Sequence, residues 1–254
     1  MFDAYLKQAE ETSFSGWNFE YLTQTGRMHE TPLPWNYYNV VLPYLRAAGT
    51  MLDMGTGGGE VLSRFQPLPP VTCATEQYKP NVAVVREKLE TLGVKVFEIE
   101  EETEPPFNAT LPFENDFFDL VISRHEAYYP PELMRILKSG GTFITQQVGR
   151  GLQNIKKLLG GTEPDNSDWN LAFLREELEA AGFGIIEARE AVQTIRFFDA
   201  GAVAYWLKAI PWIVEGFNIG GYREKLYELH LFIEERGYYD CSNDIFLLVA
   251  RKNG

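Results

Sequence analysis

The sequence predicts an α/β fold built on a doubly wound, mostly parallel sheet of seven strands. Two observations carry that prediction. Between residues 50 and 148 short apolar runs alternate with helical segments, and a glycine-rich turn, Gly55-Thr56-Gly57-Gly58-Gly59, follows the first of those runs. Sheets of this kind take ligands beyond the carboxyl ends of their strands.

The elements follow in order. Residues 1–49 read as an N-terminal helical cap that carries the aromatics Trp35, Tyr37 and Tyr38. The first strand spans 50–54, and a helix is expected over 58–65. A second strand at 71–76 leads to a helix over 80–92, with Pro80 near its start and Gly93 as its stop. The third and fourth strands are expected at 94–99 and 117–123. A helix over 131–137 should end in Lys138-Ser139-Gly140-Gly141, a basic last turn with a glycine stop, before a fifth strand at 142–148. Beyond a short helix around 152–159, Leu171, Leu174, Leu178 and Ala181 define one face of an amphipathic helix over 170–181. Strands at 183–192 and 245–250 complete the sheet. Between them lies a helical insertion, about 197–240, rich in aromatics such as Phe197, Tyr205, Trp206 and Trp212. Residues 50–254 are thus one domain with an insertion.

Composition narrows the partners. The 254 residues carry 23 basic and 36 acidic side chains, a formal charge of −13, which argues against a large nucleic-acid substrate. No apolar run reaches the roughly 20 residues that span a bilayer, and the first residues lack the basic and apolar regions of a secretory signal. The two cysteines, Cys73 and Cys241, lie far apart and suggest neither a disulfide framework nor a metal site. A reducing cytoplasm is the simplest expectation, and the oligomeric state is left as monomer or homodimer.

The glycine turn argues against two common ligands. A dinucleotide fingerprint needs a third glycine at position 60, where this chain has Glu60, and the turn lacks the Gly-Lys-Ser/Thr ending of a phosphate loop. A carboxylate at the lip repels phosphate and tolerates a ligand with a cationic centre, an amine and a ribose. The stretch Asp53-Met54-Gly55-Thr56-Gly57-Gly58-Gly59 resembles motif I of the class I S-adenosylmethionine (SAM) methyltransferases. Three further stretches extend the resemblance in order. Glu76 closes the second strand, Leu111-Pro112-Phe113 leads to Phe118-Asp119-Leu120-Val121, and Arg135-Ile136-Leu137-Lys138-Ser139-Gly140-Gly141 precedes the fifth strand, with Ser139 where the family usually has proline.

The resemblance implies a Rossmann-like fold, SAM as methyl donor, S-adenosylhomocysteine as product, and no metal. It also implies site residues. Asp53 and the Gly55 and Gly57 backbone, with Thr56 in the same turn, would hold the methionine portion. Glu76 would accept both ribose hydroxyls, with Gln77 beside the adenine. After the third strand the chain departs from the family pattern, and Glu100 and Asn108 remain alternatives for the adenine amine. Ser123 and Arg124 fall among the cofactor contacts, although Arg124 equally suits a substrate carboxylate. His125 is a candidate general base or simply pocket wall. Trp35, Tyr38 and Gln147 are candidate acceptor contacts, Trp35 and Tyr38 in a lid, and Trp206 and Trp212 are candidates for the opposite wall. A small-molecule methyltransferase is the leading expectation. The alternatives are a SAM-binding protein that acts by interaction, an RNA-directed methyltransferase and a nucleotide-dependent oxidoreductase.

Overall fold

The computed structural model describes residues 1–14, 19–100, 110–149, 151–160, 169–211 and 213–254. The helices are α1 (Phe2–Glu11), α2 (Glu20–Thr23), α3 (Tyr37–Ala47), α4 (Lys79–Leu89), α5 (Pro130–Ile136), α6 (Gln153–Leu158), α7 (Leu171–Ala180), α8 (Ala200–Ala209) and α9 (Arg223–Arg236). The strands are β1 (Met28–Glu30), β2 (Thr50–Met54), β3 (Val71–Glu76), β4 (Lys95–Glu98), β5 (Phe118–Arg124), β6 (Leu137–Val148), β7 (Phe183–Phe197) and β8 (Tyr239–Lys252).

They form one sheet in the order β1-β7-β8-β6-β5-β2-β3-β4. The β4, β3, β2, β5 and β6 pairings are parallel, while β8 runs antiparallel to both β6 and β7. From β2 the chain winds outward to β3 and β4, then returns to β5 and β6 on the other side. The order therefore reverses between β2 and β5, and the crevice beyond their carboxyl ends is where a doubly wound sheet binds ligand.

Strand alternation divides the core between the two faces. Met51, Leu120, Ile122 and Ile144 pack on one face with Val41 and Leu45 of α3 and with Val85 and Leu89 of α4. Leu52, Val121, Phe143 and Leu248 pack on the other with Leu133 and Ile136 of α5 and with Leu178 of α7.

A third core lies past the carboxyl edge. It joins Leu6 and Ala9 of α1, Leu22 of α2 and Ile155 of α6 to Val203 and Leu207 of α8, Leu226 and Ile233 of α9, and the strand residues Phe197 and Cys241. Polar ties reinforce it. Lys208 donates to the Ala9, Glu10 and Thr12 carbonyls at the end of α1, and Arg27 makes a two-pronged pair with Asp199, the residue that caps α8. At Gly201 a β-carbon would sit 2.6 Å from the Tyr5 carbonyl oxygen. Gly201→Ala must therefore push α1 off α8, an overpacking that costs about 1 to 3 kcal/mol. For a chain of this length that lowers the melting temperature by roughly 2 to 4 °C per kcal/mol. Thermal unfolding with an unchanged midpoint would mean that α1 is not held in this way.

Several sequence expectations are corrected. The sheet has eight strands, because β1, inside the expected helical cap, adds to the edge of β7 through Met28, His29 and Glu30. The expected helix at 58–65 is only a 3-10 turn at Leu62–Arg64, since Gly55, Gly57 and Gly59 all hold positive φ and Pro67 follows closely. Lys138 to Gly141 do not cap α5. Leu137 already turns extended and pairs with Phe118, and Gly140, at φ 77°, sits where the β5–β6 register shifts. Phe197 belongs to β7 and not to the insertion, because β7 and β8 pair continuously from Phe183–Lys252 to Phe197–Tyr239.

Candidate cofactor and acceptor site

The site grows out of three strand ends. Asp53 near the end of β2 and Glu76 at the end of β3 are both buried, at 4% exposure. Asp53 accepts a hydrogen bond from the Thr56 hydroxyl at 2.7 Å, which turns the glycine loop back over the strand. Burial pushes the Asp53 carboxyl up to about 7, with Glu76 adding to the shift and Thr56 and Arg124 opposing it. Glu76 is raised as well, again mainly by burial, against backbone hydrogen bonds from Tyr78, Gly57 and Gln77. The Tyr78 N–H reaches its Oε1 at 2.8 Å.

The loop after β5 brings a third carboxylate. Glu126 accepts from the Gln77 amide at 3.0 Å and lies directly over Gly55, where its side chain fills the space that a β-carbon would need. Burial, with Glu76 next in effect, raises its carboxyl to about 7. The loop is braced from below. The Ser123 hydroxyl and the Gln147 amide both donate to the Glu126 carbonyl, at 3.2 and 2.9 Å. Gln77, Glu100 and Glu126 line a cleft with Gly55, Ile99 and Tyr128. Asn108 lies outside the described residues.

Within the turn, the Gly55 N–H donates to the Thr75 hydroxyl and the Thr56 N–H to the Thr75 carbonyl. Of the two glycines expected to offer backbone donors, Gly55 is thus committed to β3, while Gly57 faces Glu76. Gly55 contributes room and not a free donor.

The N-terminal segment crosses the end of β6. Trp35 Nε1 donates to Gln146 at 2.9 Å, and both side chains are buried. Tyr37, at the first position of α3, is 6% exposed, and its hydroxyl has no hydrogen-bond partner among the described residues. Arg124 and Asp53 act on it electrostatically. His125 adopts φ 62°, leaves Nδ1 without a partner, and is pushed down to about 3 by burial and by Arg124. Two expected site residues stand apart from the rest. Tyr38 turns away to pack on Phe65, and Trp206 belongs to the helical core against Phe197. Trp212 lies outside the described residues. Sequence reasoning assigned no role to Glu126 and Glu30. Their signal, an acidic residue after a strand, is too common to stand out without the fold.

Chemically, three clustered carboxylates with raised pKa values at a strand switch point fit a ligand that brings positive charge. Comparison with known proteins agrees. Residues 52–145 match the family model described as a methyltransferase domain. No curated protein matches the sequence significantly. Among solved structures, a putative methyltransferase from Bacillus halodurans C-125 is 19% identical, with a TM-score of 0.56 over 85% of this chain and all of that one. A functionally unknown protein from Deinococcus radiodurans R1 is 14% identical, with a TM-score of 0.56 over 98% of this chain and 99% of its own. The [4+2]-cyclase SpnF is 16% identical, with a TM-score of 0.51 over 85% of this chain and 79% of that one. At these identities the structures establish the fold. With the family match, they define a Rossmann-like methyltransferase domain. Over residues 52–145 the chain is thus similar to methyltransferase domains, on the fold that the class I SAM-dependent enzymes share.

Proposed function

We propose that this protein is a SAM-dependent methyltransferase that acts on a small molecule. The observation that carries the proposal is the cleft itself. Glu100 and Glu126 line it, Asp53 and Glu76 are buried at the strand ends beside it, and the N-terminal segment is tied to the end of the neighbouring β6 by the Trp35–Gln146 hydrogen bond. A polyanionic backbone would run along these carboxylates over many charges, which favours a compact acceptor. Among the described residues no helix is long and apolar enough to cross a membrane, and no cluster of ligands suits a metal.

The cofactor roles belong to the same proposal. Glu76 would take the ribose hydroxyls, Gln77 and Glu100 the adenine end of the cleft, and Asp53 and Glu126 the cationic methionine portion. SAM supplies an activated methyl group, so the protein's task is to align an acceptor atom about 3 Å away and exclude water. His125, held near pKa 3, is poorly matched to abstracting a proton at neutral pH, and we assign it to the pocket wall. Ser123 and Gln147 act by fixing the Glu126 loop.

The test is a melting panel with SAM, S-adenosylhomocysteine, NAD and NADP, followed by label transfer from SAM. At about 100 times its dissociation constant a ligand stabilises by roughly 2.7 kcal/mol. S-adenosylhomocysteine should raise the midpoint and the dinucleotides should not. Label recovered in small metabolites supports the proposal, and label found only in RNA or protein overturns it.

A further inference from the structure

Arg124 is the last residue of β5, half-buried beside the strand switch point, and its side chain makes no hydrogen bond or ion pair among the described residues. A half-buried guanidinium without such partners keeps its planar fork available for a carboxylate or phosphate. Its electrostatic neighbours come from three elements. Asp53 lies on β2, Tyr37 opens α3 and Glu30 ends β1. Asp53 is already hydrogen-bonded to Thr56. Glu30, exposed at the end of β1, feels Arg124 electrostatically and forms no ion pair with it.

A second, independent observation points to the same place. The Tyr37 hydroxyl is buried and has no partner, and an unmade hydrogen bond of this kind costs about 1 to 3 kcal/mol. Tyr37 is also the first helical residue of α3, behind the Asn36 cap, and a helix N-terminus favours negative charge. A guanidinium and a hydroxyl without partners among the described residues thus lie within electrostatic reach of each other and of Asp53, at the end of β5 and the start of α3.

We propose that the methyl acceptor carries an oxyanion, a carboxylate or a phosphate, bound by the Arg124 guanidinium with the Tyr37 hydroxyl as second donor. This rests on the reading of the site as a small-molecule methyltransferase centre. The cleft then holds complementary halves, carboxylates for the cationic donor and an arginine for the anionic acceptor. The two substrates are sorted by charge as well as by shape.

The test uses full-length protein saturated with S-adenosylhomocysteine, titrated at constant ionic strength with acetate, benzoate and inorganic phosphate. Acetamide and benzamide serve as neutral counterparts, and melting temperature is the readout. At least one oxyanion should raise the midpoint where its neutral counterpart does not. Arg124→Met should weaken that response at least tenfold and Arg124→Lys less, because lysine keeps the charge and loses the fork. Tyr37→Phe should weaken it several-fold without lowering the starting midpoint. A response to benzoate or acetate marks a carboxylate acceptor, and one to phosphate alone a phosphorylated acceptor. The proposal falls if no oxyanion responds, or if Arg124→Met responds like the wild type, which marks adventitious binding. It also falls if Arg124→Met weakens S-adenosylhomocysteine tenfold, since Arg124 would then hold the cofactor's own carboxylate. Failure of S-adenosylhomocysteine to stabilise even the wild type would instead refute the methyltransferase reading beneath it.

Discussion

Glu76→Ala is expected to weaken S-adenosylhomocysteine binding by about a hundredfold or more, a larger effect than its change to the stability of the ligand-free protein. One carboxylate oxygen of Glu76 already accepts the Tyr78 N–H, which fixes the side chain at the end of β3 and leaves the other oxygen available. A hydrogen bond to a charged group contributes roughly 1.5 to 3 kcal/mol, so losing two ribose hydroxyl contacts removes about 3 kcal/mol or more. That exceeds two powers of ten in affinity. In the ligand-free protein two effects oppose each other, because burial holds the carboxyl above its ordinary range while the Tyr78, Gly57 and Gln77 N–H groups would lose their acceptor. Removing it relieves that cost and its repulsion of Asp53 and Glu126. Calorimetric titration and denaturant unfolding measure the two effects separately. Unchanged affinity would show that the ribose lies elsewhere.

The ligand-free protein should lose stability as the pH rises from about 4 to about 7, with little further change from these groups above that. Asp53 and Glu126 both have folded-state pKa values raised to about 7 by burial. Unfolded carboxyls titrate near 4, so the folded state binds more protons between the two values. Stability linked to these groups is present below pH 4 and is lost as the pH passes through the folded pKa. One pKa unit corresponds to about 1.4 kcal/mol, so the two groups together set an upper bound of roughly 8 kcal/mol. Glu126→Gln removes one titrating group and should flatten the slope, raising the midpoint at pH 8 relative to the wild type and not at pH 4. SAM binding should follow the opposite course. A cationic ligand prefers the ionised carboxylates, so its affinity rises with pH over the same window. A flat profile for the wild type, or a Glu126→Gln slope equal to it, would remove Glu126 from the site.

The parallel core was readable because its signals are local. Asp53, the glycines, Glu76 and the stretch from Leu111 to Val121 lie at strand ends, where period and turn chemistry show which residues face a ligand. The corrections arose where tertiary pairing overrides local preference. Nothing around Met28 marks an edge strand until Phe197 lies beside it, and Phe197 looks helical until Tyr239 pairs with it. Gly140 and Gly141 read equally well as a helix stop or a strand irregularity, and the Leu137–Phe118 pairing decides between them.

The acceptor side divides along the same line. By itself the sequence determined the wound sheet, the strand ends that face a ligand and the resemblance to SAM methyltransferases, because those are written in spacing along one chain segment. Only the tertiary structure placed Glu126 over Gly55, pinned Trp35 to Gln146 and brought Arg124 within electrostatic reach of the Tyr37 hydroxyl, which has no partner among the described residues. Those contacts join residues as far apart as 35 and 146. Burial and pairing, which set the pKa values and the unmet hydrogen bonds, exist only once the chain has folded.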